Sequence, residues 1–157
     1  MLGRIVMARL LLGHDEEAGR FVAERSPIEK PIWPAGFVGF GILGSDDKWI
    51  AGVVFSDWQE DCRRIELSAC ADDPRAFSTR ILFQLGNYVF GQLNVFRCWA
   101  RTSTENRRAR KFLKGIGFTE ESTQAHWYGV GQHCITARVT APEWQRKWGF
   151  SPMKKAA

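Results

Sequence analysis

The sequence predicts a mixed α/β fold, a central sheet flanked by helices, and three observations predict it. Segments that alternate apolar and polar residues interleave with segments whose apolar residues recur at helical spacing. Breaks rich in Gly, Pro, Asp and Ser separate them. The chain has 157 residues, of which 45% are hydrophobic and 13% aromatic, enough for a buried core in one domain. The predicted order is strand, helix, three antiparallel strands, helix, strand, helix, strands.

The first strand is expected over Leu2–Leu12. Met1–Gly13 has the look of a secretory leader, but Arg9 splits its apolar run and no small-residue cleavage site follows, so it reads as structure. His14-Asp15-Glu16-Glu17 opens a helix, with Asp15 able to cap and the acids suited to the positive helix end. Ala18, Phe21 and Val22 form its inner face, and Ser26-Pro27 ends it. A proline-rich connector follows to Pro34. Phe37–Leu43 and Trp49–Phe55 read as a hairpin around Gly44–Lys48. Arg63–Cys70 alternates, with Ile65, Leu67 and Ala69 on one face and Glu66 and Ser68 on the other.

A loop over 71–77 leads into a helix capped by Ser78 or Thr79, with Ile81, Leu82, Leu85, Val89 and Leu93 as its buried stripe. Val95–Ala100 is a strand. Thr102–Glu105 offers N-caps for a helix ending at Gly117, with Ala109, Phe112, Leu113 and Ile116 inward. His126–Thr140 reads as two strands around Gly129-Val130-Gly131. The domain spans 1–144, and 145–157 is a basic, partly loose tail.

The net charge of +5 favours anionic partners, among them a phosphorylated cofactor, and equally suits a mildly basic soluble surface. No run of about 18 apolar residues is present, so no membrane span is expected. Cys62, Cys70, Cys98 and Cys134 form no C-x-x-C pair, and His14, His126 and His133 are scattered. A cytoplasmic protein with free thiols and no metal is expected.

Two motifs tempt. Gly39-Phe-Gly41-Ile-Leu-Gly44 spells G-x-G-x-x-G, but inside a strand and its turn rather than between strand and helix, so tight strand packing is the expected role. Arg107–Lys114 carries five basic residues on one helix. It reads as a solvated face, a nucleic-acid contact or a contact to cofactor phosphates, and nucleic acid is the least expected of the three.

Three stretches together resemble the GNAT superfamily of N-acetyltransferases, and short phage- and prophage-borne members above all. The first is Ile65-Glu-Leu-Ser-Ala-Cys70 leading through Asp73-Pro-Arg75 into Thr79–Phe90. The second is Phe96–Arg101 followed by Asn106-Arg-Arg-Ala109 and Ile116-Gly-Phe118, which is similar to the family's N-x-x-A/S … L-G-F helix and is the most specific signal. The third is Gly131–Trp144, with its Glu-Trp ending. The resemblance implies a mostly antiparallel sheet of six to seven strands, splayed between the fourth and fifth. It implies acetyl-CoA as donor, a primary amine as acceptor, no metal, and a homodimer.

The family's pyrophosphate loop, Q/R-x-x-G-x-G/A, is matched by Arg75-Ala-Phe-Ser78-Thr79-Arg80, with Ser78 and Arg80 in place of glycines. The family's Tyr acid, seven residues past the Asn, is Leu113 here. The implied cofactor-binding residues are Ser68, Ala69, Cys70, Arg75, Ser78, Thr79, Arg80, Asn106, Arg107 and Arg110.

A helix N-terminus at 75–80 offers unpaired amides to a diphosphate, and Arg80 in its first turn opposes the helix dipole unless an anion sits there. The alternative is an Arg80 side chain solvated outward. An ammonium acceptor must lose a proton before it attacks, and Glu66 is the candidate base; otherwise Glu66 is a surface carboxylate paired with Arg63 or Arg64. Amides around Ser68–Cys70 are candidates for the oxyanion. Asn106 is either a cofactor ligand or a helix cap. Tyr88, Cys98 and Ser103 are candidate acids, although a thiol leaves readily as thiolate without one. A catalytically weak or inactive binding protein on the same scaffold is the alternative function.

Overall fold

Seven strands form one hydrogen-bonded sheet in the order β1-β2-β3-β4-β5-β7-β6. The computed structural model describes residues 7–27 and 30–152. In chain order the elements are β1 (Arg9–Leu11), α1 (Asp15–Arg25), β2 (Val38–Leu43), β3 (Trp49–Gln59), β4 (Arg64–Ala71), α2 (Thr79–Gly86), β5 (Arg97–Ser103), α3 (Arg107–Gly115), β6 (Thr119–Gly129), β7 (Gln132–Thr140) and α4 (Ala141–Lys147). The β4–β5 register is parallel, and every other register described is antiparallel. The chain divides into two compact units, residues 1–56 with 68–85, and residues 57–67 with 86–157.

In the first unit, β1 pairs with β2 and β2 with β3. The expected strand over Leu2–Leu12 is confined to Arg9–Leu11, and positions 2–6 lie outside the described residues. His14 rather than Asp15 stands at the N-cap position of α1, with no side-chain capping bond. Asp15 instead accepts the Gly39 N–H at 3.0 Å and ties the helix start to β2. Ala18, Phe21 and Val22 are buried as their spacing predicts. A methyl on Gly39 would stand 2.6 Å from the Ala18 Cβ and 2.9 Å from the Asp15 carbonyl oxygen, and one on Gly41 would stand 2.8 Å from the Trp49 ring. The G-x-G-x-x-G run is therefore a packing device that lets α1 and an indole lie directly on strand backbone. The connector passes over α1, where the Trp33 indole N–H donates to the Gly19 carbonyl at 2.9 Å.

In the second unit, β5 pairs with β7 over seven positions, from Arg97↔Thr140 to Ser103↔Cys134. Cys98, Ala100 and Thr102 are buried, so Arg97, Trp99 and Arg101 share the opposite face. Strand β6 begins seven residues before the predicted His126, at Thr119, because its side chains are mostly exposed and carry no apolar alternation to read. It bulges between Gln124 and Gly129. There the His126 N–H donates to His133 Nδ1 and the Gly131 N–H donates to His126 Nδ1, at 2.9 and 2.8 Å.

The helix predicted through Leu93 changes register after Gly86 into a π-helical turn, Asn87–Gln92, in which Leu93 N–H reaches the Tyr88 carbonyl at 2.9 Å. Gly86 precedes that turn and Gly91 lies within it. The Trp144 indole lies against the first and the Ser151 carbonyl against the second, where no side chain intervenes. The tail expected from position 145 onward is helical to Lys147 and held beyond it. Trp148 donates its indole N–H to the Ile116 carbonyl at 2.8 Å, and the Ser151 N–H donates to Asn87 Oδ1 at 2.6 Å. The capping box of Thr140 and Glu143 starts this helix, a device that the basic composition of the tail conceals.

An ion network crosses the polar face of this unit: Arg97 pairs with Glu121, Glu121 with Arg138, and Arg138 with Glu143. Hydrogen bonds from Arg97 hold the Glu121 carboxyl below its ordinary range, and those from Thr140 do the same for Glu143.

Two outcomes are expected. Gly39→Ala destabilises by about 1–3 kcal/mol, read as a lowered urea midpoint, because Ala18 and backbone must move. Glu121→Gln costs about 0.5–1 kcal/mol at neutral pH. A depressed folded-state pKa contributes stability above the unfolded value and loses it as pH falls through the folded one. The gap between the two proteins in urea titrations therefore closes as the pH is taken below the ordinary Glu value of 4.5.

Candidate functional site

Strand β4 carries the two predicted functions in succession. Its first half lies in the second unit, where Arg64, Ile65 and Glu66 pair in parallel with Arg97, Cys98 and Trp99, and the register ends at Glu66↔Trp99. The ion pair that Glu66 makes is with Arg101 rather than Arg63 or Arg64. Arg63 donates to the Asn94 carbonyl and side chain at 2.9 and 3.0 Å, and Glu66 receives Arg101, two residues past its register partner and on the same face. Arg101 Nε and Nη2 both donate to Glu66 Oε1, at 3.2 and 3.1 Å. The Glu66 side chain is 14% exposed and that of Arg101 30%. The Arg101 guanidinium also stands 5.3 Å from the Trp99 ring and 5.1 Å from the Trp127 ring, within cation–π range.

The second half of β4 lies in the first unit. Ser68, Ala69 and Cys70 are half-buried. The Cys70 thiol leans on the Val22 carbonyl at 3.7 Å, and burial pushes it up despite the charge of Arg25. Asp72 is gripped by Arg25 through two bonds of 2.7 and 2.9 Å, which hold its carboxyl below the usual range. Asp73 caps a 3-10 turn, Pro74–Ala76, by accepting the Arg75 N–H at 2.9 Å. Ser78 then caps α2, its hydroxyl accepting the Ile81 N–H at 3.3 Å. The amides of Arg75, Ala76 and Ile81 are thus used by the protein, while helix geometry leaves those of Thr79 and Arg80, at the start of α2, without an intrahelical acceptor. Thr79 and Arg80 are exposed, and Arg80 makes no ion pair among the described residues.

No known family model matches the chain, and no curated protein does. Solved structures do. Mutant forms of the spermidine/spermine N-acetyltransferase SpeG from Vibrio cholerae align over 89% of this chain and 97% of that one, at 13% identity and TM-score 0.73. A dodecameric spermidine N-acetyltransferase from the same organism aligns over 89% and 98%, at 14% identity and TM-score 0.71. Its complex with CoA and spermine aligns over 87% and 97%, at 14% identity and TM-score 0.69. The chain has the GNAT fold.

Within this GNAT fold the strand, loop and helix that the sequence resemblance marks for coenzyme A are β4, the 3-10 turn and α2. Of the side chains named there, Arg75 is already paired with Asp73 at 2.9 Å. On α3 the same holds. Asn106 is the N-cap, its Oδ1 accepting the Ala109 N–H at 3.1 Å, because β5 runs on through Thr102 and Ser103 and leaves neither to cap. Arg110 donates to Glu120 at 2.7 and 3.0 Å and to the Thr104 carbonyl at 2.9 Å. Arg107 is exposed, as are Arg108, Lys111 and Lys114. Among the candidate acids, Cys98 is buried and its thiol is pushed far up by desolvation and then by the Glu66 charge, so it stays a neutral, packed group. The Ser103 hydroxyl accepts the Glu105 N–H at 3.2 Å. Among the described residues no group of three His, Cys, Asp or Glu side chains is placed to hold a metal, and no helix is long and apolar enough to cross a membrane.

Sequence reasoning missed Arg101, Trp99 and Trp127. The alternation of buried Cys98, Ala100 and Thr102 was the available signal for the first two. Nothing in the sequence marks the bulge that carries Trp127.

Asn106→Ala is expected to cost about 1 kcal/mol in thermal or urea unfolding, and Asn106→Asp to retain the stability, since both Asn and Asp cap well.

Proposed function

We propose that the chain is an acyl-CoA-dependent N-acyltransferase, with acetyl-CoA as donor and a primary amine as acceptor. The observation that carries this reading is a shielded carboxylate, Glu66, held where the parallel β4–β5 register ends in a GNAT-fold sheet. The fold likeness to acetyltransferases, one of them described with CoA and spermine, supports the donor.

In this mechanism the exposed amides at the start of α2 and the Arg80 side chain bind the coenzyme's diphosphate, with Thr79 and Ser78 beside them. The sequence resemblance adds Arg107 to the coenzyme's ligands. Arg75 and Arg110 contribute only by exchanging their present carboxylate partners for phosphate. The acceptor arrives as an ammonium and gives one proton to Glu66. The neutral nitrogen then attacks the thioester carbonyl. Its C–N bond forms as the carbonyl oxygen becomes an oxyanion, which amides around Ser68–Cys70 stabilise. Collapse breaks the C–S bond. The second amine proton goes to the departing thiolate, and Glu66 returns its own to water. No covalent acyl-enzyme is involved, and neither Leu113 nor Cys98 has to act.

A second reading is favoured by the same contacts. Arg75 and Arg110 are spent on Asp73 and Glu120, so the scaffold could serve as a binding or accessory protein that holds the coenzyme weakly. The sequence resemblance to short phage-borne members, whose loop is similarly degenerate, belongs with this reading as much as with the first. A homodimer in the cytoplasm is the proposed setting for both.

Calorimetric titration with acetyl-CoA separates them. The enzyme reading expects saturable binding below millimolar concentration and release of thiol when an amine is supplied; no binding at millimolar acetyl-CoA rejects it. Glu66→Gln is expected to lower kcat on the order of 100-fold or more while leaving acetyl-CoA affinity unchanged. Undiminished turnover removes Glu66 as the base.

A further inference from the structure

Three guanidiniums project from the polar face of β5 and β7 in the second unit, and their surroundings differ. Arg97 is spent on Glu121, and Arg138 bridges Glu121 and Glu143. Arg101 directs Nε and Nη2 at a single oxygen of Glu66, and among the described residues its Nη1 edge meets no acceptor. With the Trp99 and Trp127 rings near the guanidinium, its hydrogen bonding is left to the edges, in plane. A planar edge with two parallel N–H groups is the geometry that a carboxylate takes in bidentate fashion.

The same cluster therefore presents two opposite charges about one hydrogen bond apart, a carboxylate at 14% exposure and a guanidinium at 30%. A zwitterion whose ammonium and carboxylate sit on one carbon matches that spacing with the signs reversed. Its ammonium faces Glu66, which is where the nucleophile must lose a proton, and its carboxylate faces the open Arg101 edge. Trp127, half exposed beside them, offers an apolar wall to whatever side chain the zwitterion carries. A polyamine fits this place poorly. Its second charge would approach Arg101 rather than an anion, and the chain as a whole carries +5.

We infer that the acceptor is a free α-amino acid, acetylated on its α-amino group, and that Arg101 selects it by its carboxylate. This rests on the reading of Glu66 as the base of an N-acyltransferase. The reaction keeps the balance given above: the N–C bond forms, the C–S bond breaks, and the amino acid's carboxylate takes no part beyond binding.

The test uses the full-length protein, the twenty standard amino acids, the amine that corresponds to each amino acid acetylated or bound but lacks its carboxylate, and spermidine. Thiol release with acetyl-CoA measures turnover, and calorimetry measures binding. At least one amino acid is expected to exceed its matched amine in kcat/KM by a factor on the order of 30 or more, the scale of a lost charge-assisted hydrogen bond. Arg101→Lys keeps a charge for Glu66 but loses the fork. It should raise KM for the amino acid by a factor at least about ten times larger than any change it makes in KM for the matched amine. Trp127→Leu, at a half-exposed position that tolerates exchange, is the second variant and should weaken amino-acid binding without unfolding the protein.

Equal or better turnover of the matched amine or of spermidine overturns the inference while the acyltransferase reading stands. So does an Arg101→Lys variant that impairs both amines equally. If no amine is acetylated yet an amino acid binds and Arg101→Lys abolishes that binding, the acyltransferase reading and the acceptor inference both fall, and only a zwitterion-binding site is left. If none of the twenty is bound or acetylated, the inference fails.

Discussion

A carboxylate that is largely removed from water must have a charged or hydrogen-bonding partner, and in this protein that requirement is met across two parallel strands. Glu66 and Arg101 lie thirty-five residues apart in sequence, yet the parallel register of β4 on β5 sets them on one face within hydrogen-bond distance. Removing Arg101 would take a charge-assisted pair of hydrogen bonds away from a carboxylate largely shielded from water. The register, the identity of the residues at Trp99 and Arg101, and the burial of Cys98 and Ala100 on the opposite face therefore stand or fall together. The chemistry proposed for the site borrows this arrangement rather than adding to it.

Glycine is used here to bring backbone close to bulky groups rather than to cradle phosphate. Gly39 and Gly41 let α1 and Trp49 sit on β2. Gly86 and Gly91 receive the Trp144 indole and the tail carbonyl of Ser151 around a π-helical turn. Several tryptophans serve such contacts: Trp33 on α1, Trp144 and Trp148 on the C-terminal segment. Trp99 and Trp127 differ because their partner is a charge, and Trp127 remains half exposed.

The basic surface likewise divides once partners are known. Arg25, Arg75, Arg97, Arg110 and Arg138 each hold a carboxylate, so their charge is spent inside their own unit. Among the described residues, Arg80, the exposed side of α3 and the open edge of Arg101 are cations that hold no second carboxylate and stay available to an anionic ligand.

Local pattern determined a good deal. Apolar runs around a polar turn marked β2 and β3, which are buried on both faces, alternation marked β4, helical spacing marked α1 and α2, and the Asn106-to-Phe118 run located α3. β6 left no such trace, since an exposed strand has no buried face to impose a period. The π turn and the docking of the tail were equally hidden, being decided by contacts with distant glycines. Glu66 could be named as a site residue from its strand, but its partner could not. Arg63 and Arg64 were near in sequence, and only the pairing of two strands could show that Arg101 was near in space. Which amides and which cations stay unengaged is also a property of the folded chain alone, for a residue's neighbours across a sheet are set by register rather than by sequence distance.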